Sequence, residues 1–578
     1  MPKVFRLDMK TKSIKREELK EKYTDFGGRG LIAHVMNDEV NPKCDPLGGE
    51  NKLIISTGLL AGTTGPTVNR LSIGGKSPLT GGIKEANVGG NVGFMLAKHD
   101  IKMIIIEDVP TEEEWFILKV DKDSNMHFVP ARGWAGLNNY ALVEKCRETF
   151  EGKISVLSIG IAGERGYRCA GIQATDAATG HPARAAARGG LGAVMGSKKV
   201  KAIVVENPEN PSRINYKSKR KFSDATMKVI SSIRTHGLVG YAFTNFGTPF
   251  LTQVTNEAKI LPVNNFSGKI VDVSVLGAET FKSNVLANGG KVGVACQPGC
   301  PIRCSNVYHN SSKEYITSGL EYETIALCGP NCGIYSFDTI AKMDAICDDF
   351  GVDTIEIGAA IGVCMDVGKL QWGDENGALS LLQEMVDGTE FGNVLGQGAD
   401  YVGKKLNAKR IPTVKGQALP GYDPRGVKGM GVTYSTSPMG ADHTAGFTMG
   451  VEGVDPFKKE GQVKVSEEVQ IAAAFCDNIM CLFAFAAVTS NPESFNALAE
   501  MMAARYSGEW SIEKLMGIGA QTIVLEKAFN DAAGLTGEDD KLPEFFYTEE
   551  SPAAKTAFDI TDGELAEIFQ GVKQDASI

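Results

Sequence analysis

The chain contains 578 residues, of which 43% are hydrophobic and 22% are charged, and its net charge is −10. This length exceeds what one hydrophobic core supports and predicts roughly two to four domains, while the composition excludes bulk disorder. The negative charge argues against nucleic acid as a partner, and no apolar run approaches the ~20 residues of a membrane span. No secretory signal is recognisable in the polar sequence after Met1, so a cytoplasmic location is expected.

The first 210 residues alternate between short apolar runs and glycine turns. They predict strands that include 52–56, 102–107 and 201–205. A linker is predicted at 207–211, after which apolar residues recur at helical spacing. The predicted helices include 338–350, 355–370, 461–485 and 492–506, and the glycine-rich stretch 416–450 is expected to be an irregular insert that serves a site. No tandem repeat of fixed period is visible.

These patterns together predict an α+β fold with three domains. An N-terminal β-rich domain, 1–210, is followed by two mainly α-helical domains, 211–415 and 416–578.

Four of the twelve cysteines have a spacing that indicates a metal site. They are Cys296, Cys300, Cys304 and the remote Cys481. Three close thiolates and one remote thiolate are a common way to hold a [4Fe–4S] cluster. Structural zinc usually takes two short paired spacings, and disulfides are disfavoured without a secretory signal. A radical-SAM cluster has a two-residue gap before its last cysteine, whereas both gaps here are three. The cysteines alone leave these alternatives open.

Several glycine-rich segments have the composition of a site for a large anion. Two of them are 57–66 and 184–199, and the second carries arginines as well. Glycines let backbone N–H groups approach a phosphate, and arginines add bidentate donors. Neither segment matches a P-loop or the dinucleotide fingerprint. Each segment alone is equally compatible with tight turns in a β domain.

The order of short motifs along the chain resembles the tungsten-containing aldehyde:ferredoxin oxidoreductase family over nearly the whole length. The segments that carry the resemblance are 27–31, Arg70, 76–81, 87–90, 162–164, 188–198, 300–304, 321–324, 348–353, 422–425, 440–443 and 481–483. The resemblance implies a pterin-binding N-terminal domain and a tungsten ion held by the dithiolene sulfurs of two pyranopterins, with a [4Fe–4S] cluster nearby. Tungsten and molybdenum are not distinguished, because dithiolenes bind both.

The resemblance also implies which residues hold these groups. The cluster ligands would be Cys296, Cys300, Cys304 and Cys481. Arg70 would lie between cluster and pterin, where its guanidinium donates to both. Asn87 and Ala185 would place oxygens on a Mg²⁺ that joins the two pterin phosphates. The residues implied to line the phosphates are Gly89, Arg184 and Arg188.

Two acidic motifs are implied to bind the pterin rings. The first holds Asp348, Val352 and Asp353, although Asp353 is equally suited to cap the following helix. The second is expected to place an aspartate five residues before Cys481, but Cys476 stands there and Asp477 follows it. Leu482 is counted with this second motif. A further departure is Met439, where the family commonly has an arginine.

The implied catalytic residues are Glu323 and His443. Glu323 would orient or deprotonate water, and His443 would donate a hydrogen bond to the oxygen of a small aldehyde. Tyr322 and Tyr422 would help to polarise the carbonyl, although a buried tyrosine also serves as core. The electrons would leave singly through the pterin and the cluster to ferredoxin or a ferredoxin-like subunit. Whether the chain forms a homo- or hetero-oligomer is left open.

Two other functions remain open from the sequence. One is a tungsten-dependent reductase of an aromatic thioester, of the benzoyl-CoA type, which would share cofactors and most motifs. An extra thiolate from Cys328 or Cys332 near the metal would favour it, whereas a buried cysteine would be a small hydrophobic residue. The other is an electron-transfer subunit with only the cluster, which would have no use for Arg70 or Asp348.

Overall fold

The computed structural model describes residues 2–576, so that Met1, Ser577 and Ile578, at the outer ends of the first and third predicted domains, lie outside it. It confirms the α+β class. The strands of the first region are β1 (Lys3–Asp8), β2 (Ser13–Glu18), β3 (Leu53–Thr57), β4 (Leu71–Lys76), β5 (Ile83–Val88), β6 (Ile101–Glu107), β7 (Phe116–Val120), β8 (Met126–Pro130), β9 (Ile154–Ser158), β10 (Ile172–Ala174), β11 (Arg184–Ala186) and β12 (Val200–Glu206). Its helices are α1 (Gly28–Glu39), α2 (Val92–Lys98), α3 (Asn139–Thr149), α4 (Ile161–Glu164) and α5 (Leu191–Ser197).

These strands form two sheets of the same topology. The first sheet has the order β2-β1-β6-β3-β4-β5 and the second β8-β7-β12-β9-β10-β11, so each strand has a counterpart six strands later. In both sheets one pair is parallel, β1 with β6 and β7 with β12, and the other pairs are antiparallel. The sequence showed no fixed period because the connections between counterpart strands differ in length.

The two sheets share one hydrophobic core. Phe5 and Ile104 of the first sheet belong to the same buried cluster as Leu157 and Ile203 of the second. The edge strands β5 and β11, which are counterparts, also lie against each other. The first region is therefore one two-fold arrangement, with its two edge strands adjacent.

The remaining chain is mainly helical. The helices are α6 (Lys219–Thr235), α7 (Phe243–Phe246), α8 (Leu251–Glu257), α9 (Ala278–Ala287), α10 (Tyr322–Cys328), α11 (Phe337–Phe350), α12 (Thr354–Asp366), α13 (Glu375–Asp387), α14 (Glu390–Leu395), α15 (Ala399–Lys405), α16 (Lys428–Thr436), α17 (Gln462–Ile479), α18 (Phe483–Thr489), α19 (Pro492–Arg505), α20 (Ile512–Ala533), α21 (Phe545–Thr548) and α22 (Asp562–Ala576). A small sheet contains β13 (Lys291–Val294), β14 (Ser305–His309) and β15 (Tyr315–Ser318), and β16 (Thr413–Val414) pairs with β17 (Gln417–Ala418). A six-residue π-helix spans Gly237–Ala242.

Two expectations for this helical part were wrong in detail. The stretch 461–485 is two helices, α17 and α18, bent by 112° at a short break that contains Cys481. The stretch 416–450 is not irregular throughout, because it contains the fully buried helix α16. Small residues along α16 hid its apolar face from a periodicity argument.

The predicted domain bounds stay predictions. In one place, helices from two different predicted domains pack against each other. Helix α6, from the second predicted domain, packs against α19, from the third. No single helix between residues 2 and 576 is long and apolar enough to cross a membrane. The pair α17 and α18 would reach that length together, but the bend separates them.

Two helices end directly on the two sheets. The end of helix α17 lies against Gly58, which directly follows β3. A Cβ on Gly58 would lie 3.3 Å from the Ile479 carbonyl oxygen. The end of helix α11 lies against Gly160, which follows β9. A Cβ on Gly160 would lie 2.8 Å from the Asp349 carbonyl oxygen and still nearer to the Phe350 carbonyl oxygen. Since β3 and β9 are counterparts, each sheet receives one helix end at the same position.

The contact at Gly160 gives a test of this packing. We expect Gly160→Ala to lower the free energy of unfolding by about 1–3 kcal/mol, because the added methyl group must push the end of α11 away from β9. The matched control is Gly537→Ala, where a Cβ meets nothing within 4 Å and the backbone is not left-handed. Urea unfolding followed by tryptophan fluorescence measures both. Equal stability of the two variants would contradict a close contact at α11.

Candidate active site

The two helices that end on the sheets carry similar short sequences, with Ala, Cys and Asp at matching positions. Residues 345–350 read Ala-Ile-Cys-Asp-Asp-Phe at the end of α11, and residues 474–479 read Ala-Phe-Cys-Asp-Asn-Ile at the end of α17. Asp348 and Asp477 are therefore each third from a helix end. This identifies Asp477, and not the position of Cys476, as the counterpart of Asp348. Cys476 is fully buried among apolar side chains, as is Cys347.

The two helices end differently. Helix α11 is followed by Gly351 in the left-handed conformation, a common helix terminator. Helix α17 is followed by Met480 in extended conformation. Cys481 comes next, and its N–H donates to the Thr67 carbonyl over 3.0 Å.

Asp348 lies in a buried polar pocket of the second sheet. Gln173 on β10 donates to Asp348 Oδ1 over 3.3 Å, and Asn139 donates to its backbone oxygen over 2.9 Å. Burial and the neighbouring Asp344 hold the pKa of Asp348 well above its usual range. The nearby Val352 makes an isolated bridge to Ala170, which ties the motif to the first region.

Asp477 lies in a matching pocket at the first sheet. Arg29 donates a hydrogen bond to its Oδ2 over 3.3 Å. Arg29 also donates two hydrogen bonds to the Glu526 carboxylate, over 2.7 and 2.8 Å. Burial raises the pKa of Asp477 to about 6. Burial, and then the charge of Asp477, raise the pKa of Glu85 on β5 to about 8. Each sheet thus faces one buried carboxylate from a helix end. Leu482 is half-buried beside this pocket at the start of α18.

Asp353 performs the capping role that the sequence left open. Its Oδ1 accepts from the Ile355 N–H over 3.0 Å at the start of α12. Its Oδ2 faces Arg188, whose Nε donates over 3.3 Å. Its contact with a pterin stays a prediction.

The cysteine loop 296–304 is fastened to the first region. The Cys296 carbonyl accepts from Gly90 N–H over 2.8 Å, and Asn69 binds Gln297 and Pro298 over 2.8 and 2.9 Å. Cys481 is held to Thr67, so all four cysteines gather at the same strand ends. A Cβ on Gly89 would lie 3.2 Å from Cys296 Sγ, and this close approach explains the glycine.

The buried Arg70 lies among these cysteines. The charges of Cys481, Cys296 and Asp477 surround it and raise its pKa against the effect of burial. A hydrogen bond from Cys300, with Arg70 nearby, lowers the pKa of the Cys296 thiol to about 6. None of the four cysteines forms a disulfide.

No group of three or more His, Cys, Asp or Glu side chains in residues 2–576 is arranged around a single metal ion. A four-iron cluster does not need such an arrangement, because each thiolate binds a different iron. The cluster stays a prediction.

The two predicted Mg²⁺ ligands lie on counterpart edge strands. Asn87 is on β5 and Ala185 is on β11, which touch each other. Both oxygens of Asn87 accept from Arg70, the backbone oxygen over 3.0 Å. The structure thus brings the pair together and shows that Arg70 competes for Asn87.

The two arginines predicted to line phosphates make bonds between regions of the protein instead. Arg184 donates to Asp176 over 2.5 Å and to Ser305, and lies 3.7 Å from Glu321. Arg188 donates to the carbonyls of Ala441 and Ala418 over 2.6 and 2.5 Å, besides Asp353. Both guanidiniums are buried. Their contact with phosphate stays a prediction.

Glu323 and His443 meet although 120 residues separate them in the chain. His443 Nε2 lies 3.5 Å from Glu323 Oε1, and both side chains are largely buried. Glu323 Oε2 accepts from the Gly421 N–H over 2.8 Å. The Tyr422 ring lies 5.9 Å from the His443 ring, and burial and the charge of Glu323 hold the pKa of Tyr422 well above its usual range. The geometry suits an acid–base pair in a dry site.

Tyr322 contacts the turn that holds Glu323 of the Glu323–His443 pair. Its hydroxyl donates to the Gly421 carbonyl and to Thr255 Oγ1, the latter over 3.1 Å. It therefore fixes the backbone turn whose N–H holds Glu323. A hydroxyl so engaged is not free to polarise a carbonyl, which makes Tyr322 a positioning residue in this structure.

A buried ion pair beside His443 was missed by the sequence reasoning. Lys84 on β5 is fully buried and donates to Asp442 Oδ2 over 2.7 Å. Asp442 also accepts from Thr444 N–H over 3.0 Å, which caps the short turn His443–Ala445. Although burial alone would raise it, the charges of Lys84 and Arg188 hold the pKa of Asp442 far below its usual range. The available signal was a charged residue inside the short strand 83–88.

Met439 contacts both Lys84 and Glu85 of β5. Its sulfur accepts from the Glu85 N–H over 3.2 Å, and its carbonyl oxygen lies 3.5 Å from Lys84 Nζ. The Lys84 ammonium on β5 is therefore a positive charge beside Met439.

The thiols of Cys328 and Cys332 point away from the Glu323–His443 pair. Cys332 Sγ donates to the Leu327 and Gly358 carbonyls over 3.2 and 3.4 Å, and Cys328 Sγ donates to the Thr354 carbonyl over 3.8 Å. Both belong to the core of the α10–α12 helices. Their surroundings are those of small buried hydrophobic residues.

Buried polar atoms without a hydrogen-bond partner lie around these residues, which is unusual inside a protein. Within residues 2–576, those that face the acid motifs or the Glu323–His443 pair are Glu85 Oε1, Gln173 Oε1, Glu323 Oε1, Gln417 Oε1, the Tyr434 hydroxyl and His443 Nδ1. A large group rich in N–H and oxygen atoms would satisfy them. The residues present therefore fit a pair of pterins between the sheets and the helices.

Comparison with known protein families gives matches along most of the chain. The model of the aldehyde ferredoxin oxidoreductase N-terminal domain matches residues 4–207, and the model of its domains 2 and 3 matches residues 224–570. The chain is 30% identical over 576 residues to the tungsten-containing aldehyde ferredoxin oxidoreductase of Thermococcus kodakarensis, covering 95% of this chain and 91% of the relative. The corresponding Pyrococcus furiosus protein is 29% identical, with the same coverage.

More distant similarities extend beyond aldehyde oxidation. The aliphatic sulfonate oxidoreductase WOR-like subunit of Pyrococcus furiosus is 25% identical over 491 residues, covering 78% of this chain and 76% of that protein. Among solved structures, the active site complex BamBC of benzoyl coenzyme A reductase with 1,5-dienoyl-CoA superposes with a TM-score of 0.80 at 18% identity. It covers 99% of this chain and 94% of that chain, and the likeness is one of fold.

The Lys84–Asp442 pair gives a test of the site. We expect Lys84→Met and Asp442→Asn each to destabilise the protein by about 3–5 kcal/mol, because each leaves a buried charge without its partner. The double variant should lose less than the sum, by about 0.5–3 kcal/mol. Urea unfolding of the four proteins measures this cycle. Simple additivity would show that the two side chains do not interact.

Proposed function

The chain belongs to the aldehyde ferredoxin oxidoreductase family, and from that membership we propose that it oxidises aldehydes to carboxylic acids with water at a tungsten–bispyranopterin centre. The observation that supports this most directly is the buried Glu323–His443 pair, with an oxygen and a nitrogen left unbonded. An acid–base pair in a dry pocket suits the addition of water to a carbonyl.

The proposed residues for the pterins are those of the two matching pockets. Asp348 and Gln173 would hold one ring, and Asp477 and Glu85 the other, because carboxyl and amide groups pair with ring N–H and amino groups. Mg²⁺ would join the phosphates at Asn87 and Ala185. The bound tungsten–pterin group would supply the acceptor for two electrons, and the four cysteines would hold the cluster through which the electrons leave.

Glu323 and His443 divide the protein's part of the chemistry. We assign the removal of a proton from the attacking water to Glu323, whose Oε1 has no other partner. His443 donates a hydrogen bond to the aldehyde oxygen, where negative charge grows as water adds. Gly421 and Tyr422 keep the carboxylate in place. Per turnover the aldehyde and one water yield a carboxylate, three protons and two electrons. Ferredoxin or a ferredoxin-like subunit receives the two electrons one at a time.

Reduction of an aromatic thioester is the rival within the family. The likeness to benzoyl coenzyme A reductase is one of fold, and the proposed thiolate ligands Cys328 and Cys332 face helix carbonyls. No contact in the site therefore favours the rival.

Metal analysis with anaerobic turnover tests the proposal. We expect protein purified without oxygen to contain about one tungsten and four irons per chain, and to reduce benzyl viologen with at least one member of an aldehyde panel. Oxidation of a cyclic dienoyl thioester without aldehyde turnover would establish the rival. Iron alone would show an electron-transfer subunit.

The acid–base assignment has its own test. We expect Glu323→Gln to lower kcat about 10²- to 10⁴-fold, since the amide keeps the shape but cannot take the proton. Tungsten and iron contents should be unchanged. Glu314→Gln, an exposed glutamate on the β14–β15 turn, is the control and should keep full activity. Undiminished kcat in Glu323→Gln would move the base to another residue.

A further inference from the structure

The cysteine loop has one exposed side, and two chain segments form the surface there. Cys296, Cys304 and Cys481 are buried, whereas Cys300 is partly exposed. Residues 234–247, which include the π-helix and α7, and residues 281–304, which end in the loop, form the surface here; we call them the cysteine collar.

Contacts tie the collar to the cysteines at both ends. Thr244 Oγ1 donates to the Ile302 carbonyl over 2.7 Å, and a Cβ on Gly247 would lie 2.7 Å from the Cys304 oxygen. Phe243 stacks on Phe483, two residues beyond Cys481, at 4.8 Å. The collar is therefore the outer layer of the predicted cluster site.

Large apolar side chains on the collar face solvent. Leu238 and Tyr241 on the π-helix are 39% and 63% exposed, and Leu286 on α9 is 52% exposed. Lys282 joins α9 to the π-helix side, since it donates to Asn245 over 3.2 Å and lies over the Phe246 ring. Exposed apolar groups gathered in one place indicate a contact surface, and π-helices often mark functional sites.

The charge of the collar is opposite to that of the protein. The whole chain has 70 acidic and 60 basic residues, but the collar contains Arg234, Lys282, Lys291 and Arg303 and no aspartate or glutamate. Within the described part of the chain, no ion pair involves Arg234, Lys291 or Arg303, and all three are exposed. Such a basic rim around an apolar centre suits an acidic partner and speeds its association.

We propose that the cysteine collar is the docking surface for a small acidic iron–sulfur protein, which takes electrons from the cluster next to Cys300. This inference rests on the proposed function, because it presumes the cluster. The patch is small, as is usual for transient electron-transfer pairs, which bury less than about 1,200 Å². Tyr241 and Leu238 supply the apolar contact, and Lys291 and Arg234 steer the partner.

The experiment measures binding and turnover separately, in the anaerobically purified holoenzyme. Titration calorimetry with a purified acidic ferredoxin gives Kd, and benzyl viologen, which needs no docking surface, gives activity. The variant is Tyr241→Asp with Lys291→Glu. Its matched control is Tyr401→Asp with Lys405→Glu, an exposed pair on α15 far along the chain.

We expect the collar variant to bind ferredoxin at least tenfold more weakly, with benzyl viologen activity within about twofold of the unaltered enzyme. The control should bind unchanged, and the Kd of the unaltered enzyme should rise with salt because screening weakens charge contacts. Equal weakening in variant and control, or none in either, would overturn the docking surface. Ferredoxin binding without any aldehyde turnover would reject the proposed function and leave the docking surface supported.

Discussion

The structure depends on the direct contact between two helix ends and the backbone that follows two counterpart strands. Gly58 and Gly160 leave no room for a side chain between sheet and helix. This contact fixes where α11 and α17 stop, and so it fixes the height of Asp348 and Asp477 above the two sheets. It also sets Cys481, which follows one of these ends, beside the cysteine loop. The residues proposed to hold the pterins and the cluster are therefore positioned by the same contacts.

Buried charges join the three regions around the same interior. The pairs are Arg29 with Glu526 and Asp477, Lys84 with Asp442, and Arg188 with Asp353. A buried charge without a partner costs several kcal/mol, so each pair holds its two segments in one arrangement. Several of these charges sit next to predicted site residues. The same interactions that assemble the regions thus orient the site.

The site and the collar form one path in the proposed function. Glu323 and His443 lie in the dry interior, Arg70 lies among the cysteines, and Cys300 approaches the surface. The exit side, in contrast, carries basic and apolar groups.

The sequence by itself determined the α+β class and the long helices α11 and α19, because periodicity survives without contacts. Its motif order also predicted the cysteine set and the residues Glu323 and His443. It did not reveal the duplicated sheets, whose likeness lies in strand order and register. It named Asp477 as a pterin residue one position from the expected one, and the structure shows Asp477 third from the end of α17, as Asp348 is in α11. Only the tertiary structure decided that Lys84 supports Asp442 and that Arg188 is bound by protein carbonyls. Partners so far apart in sequence meet only when the chain has folded, and no local pattern records their distance.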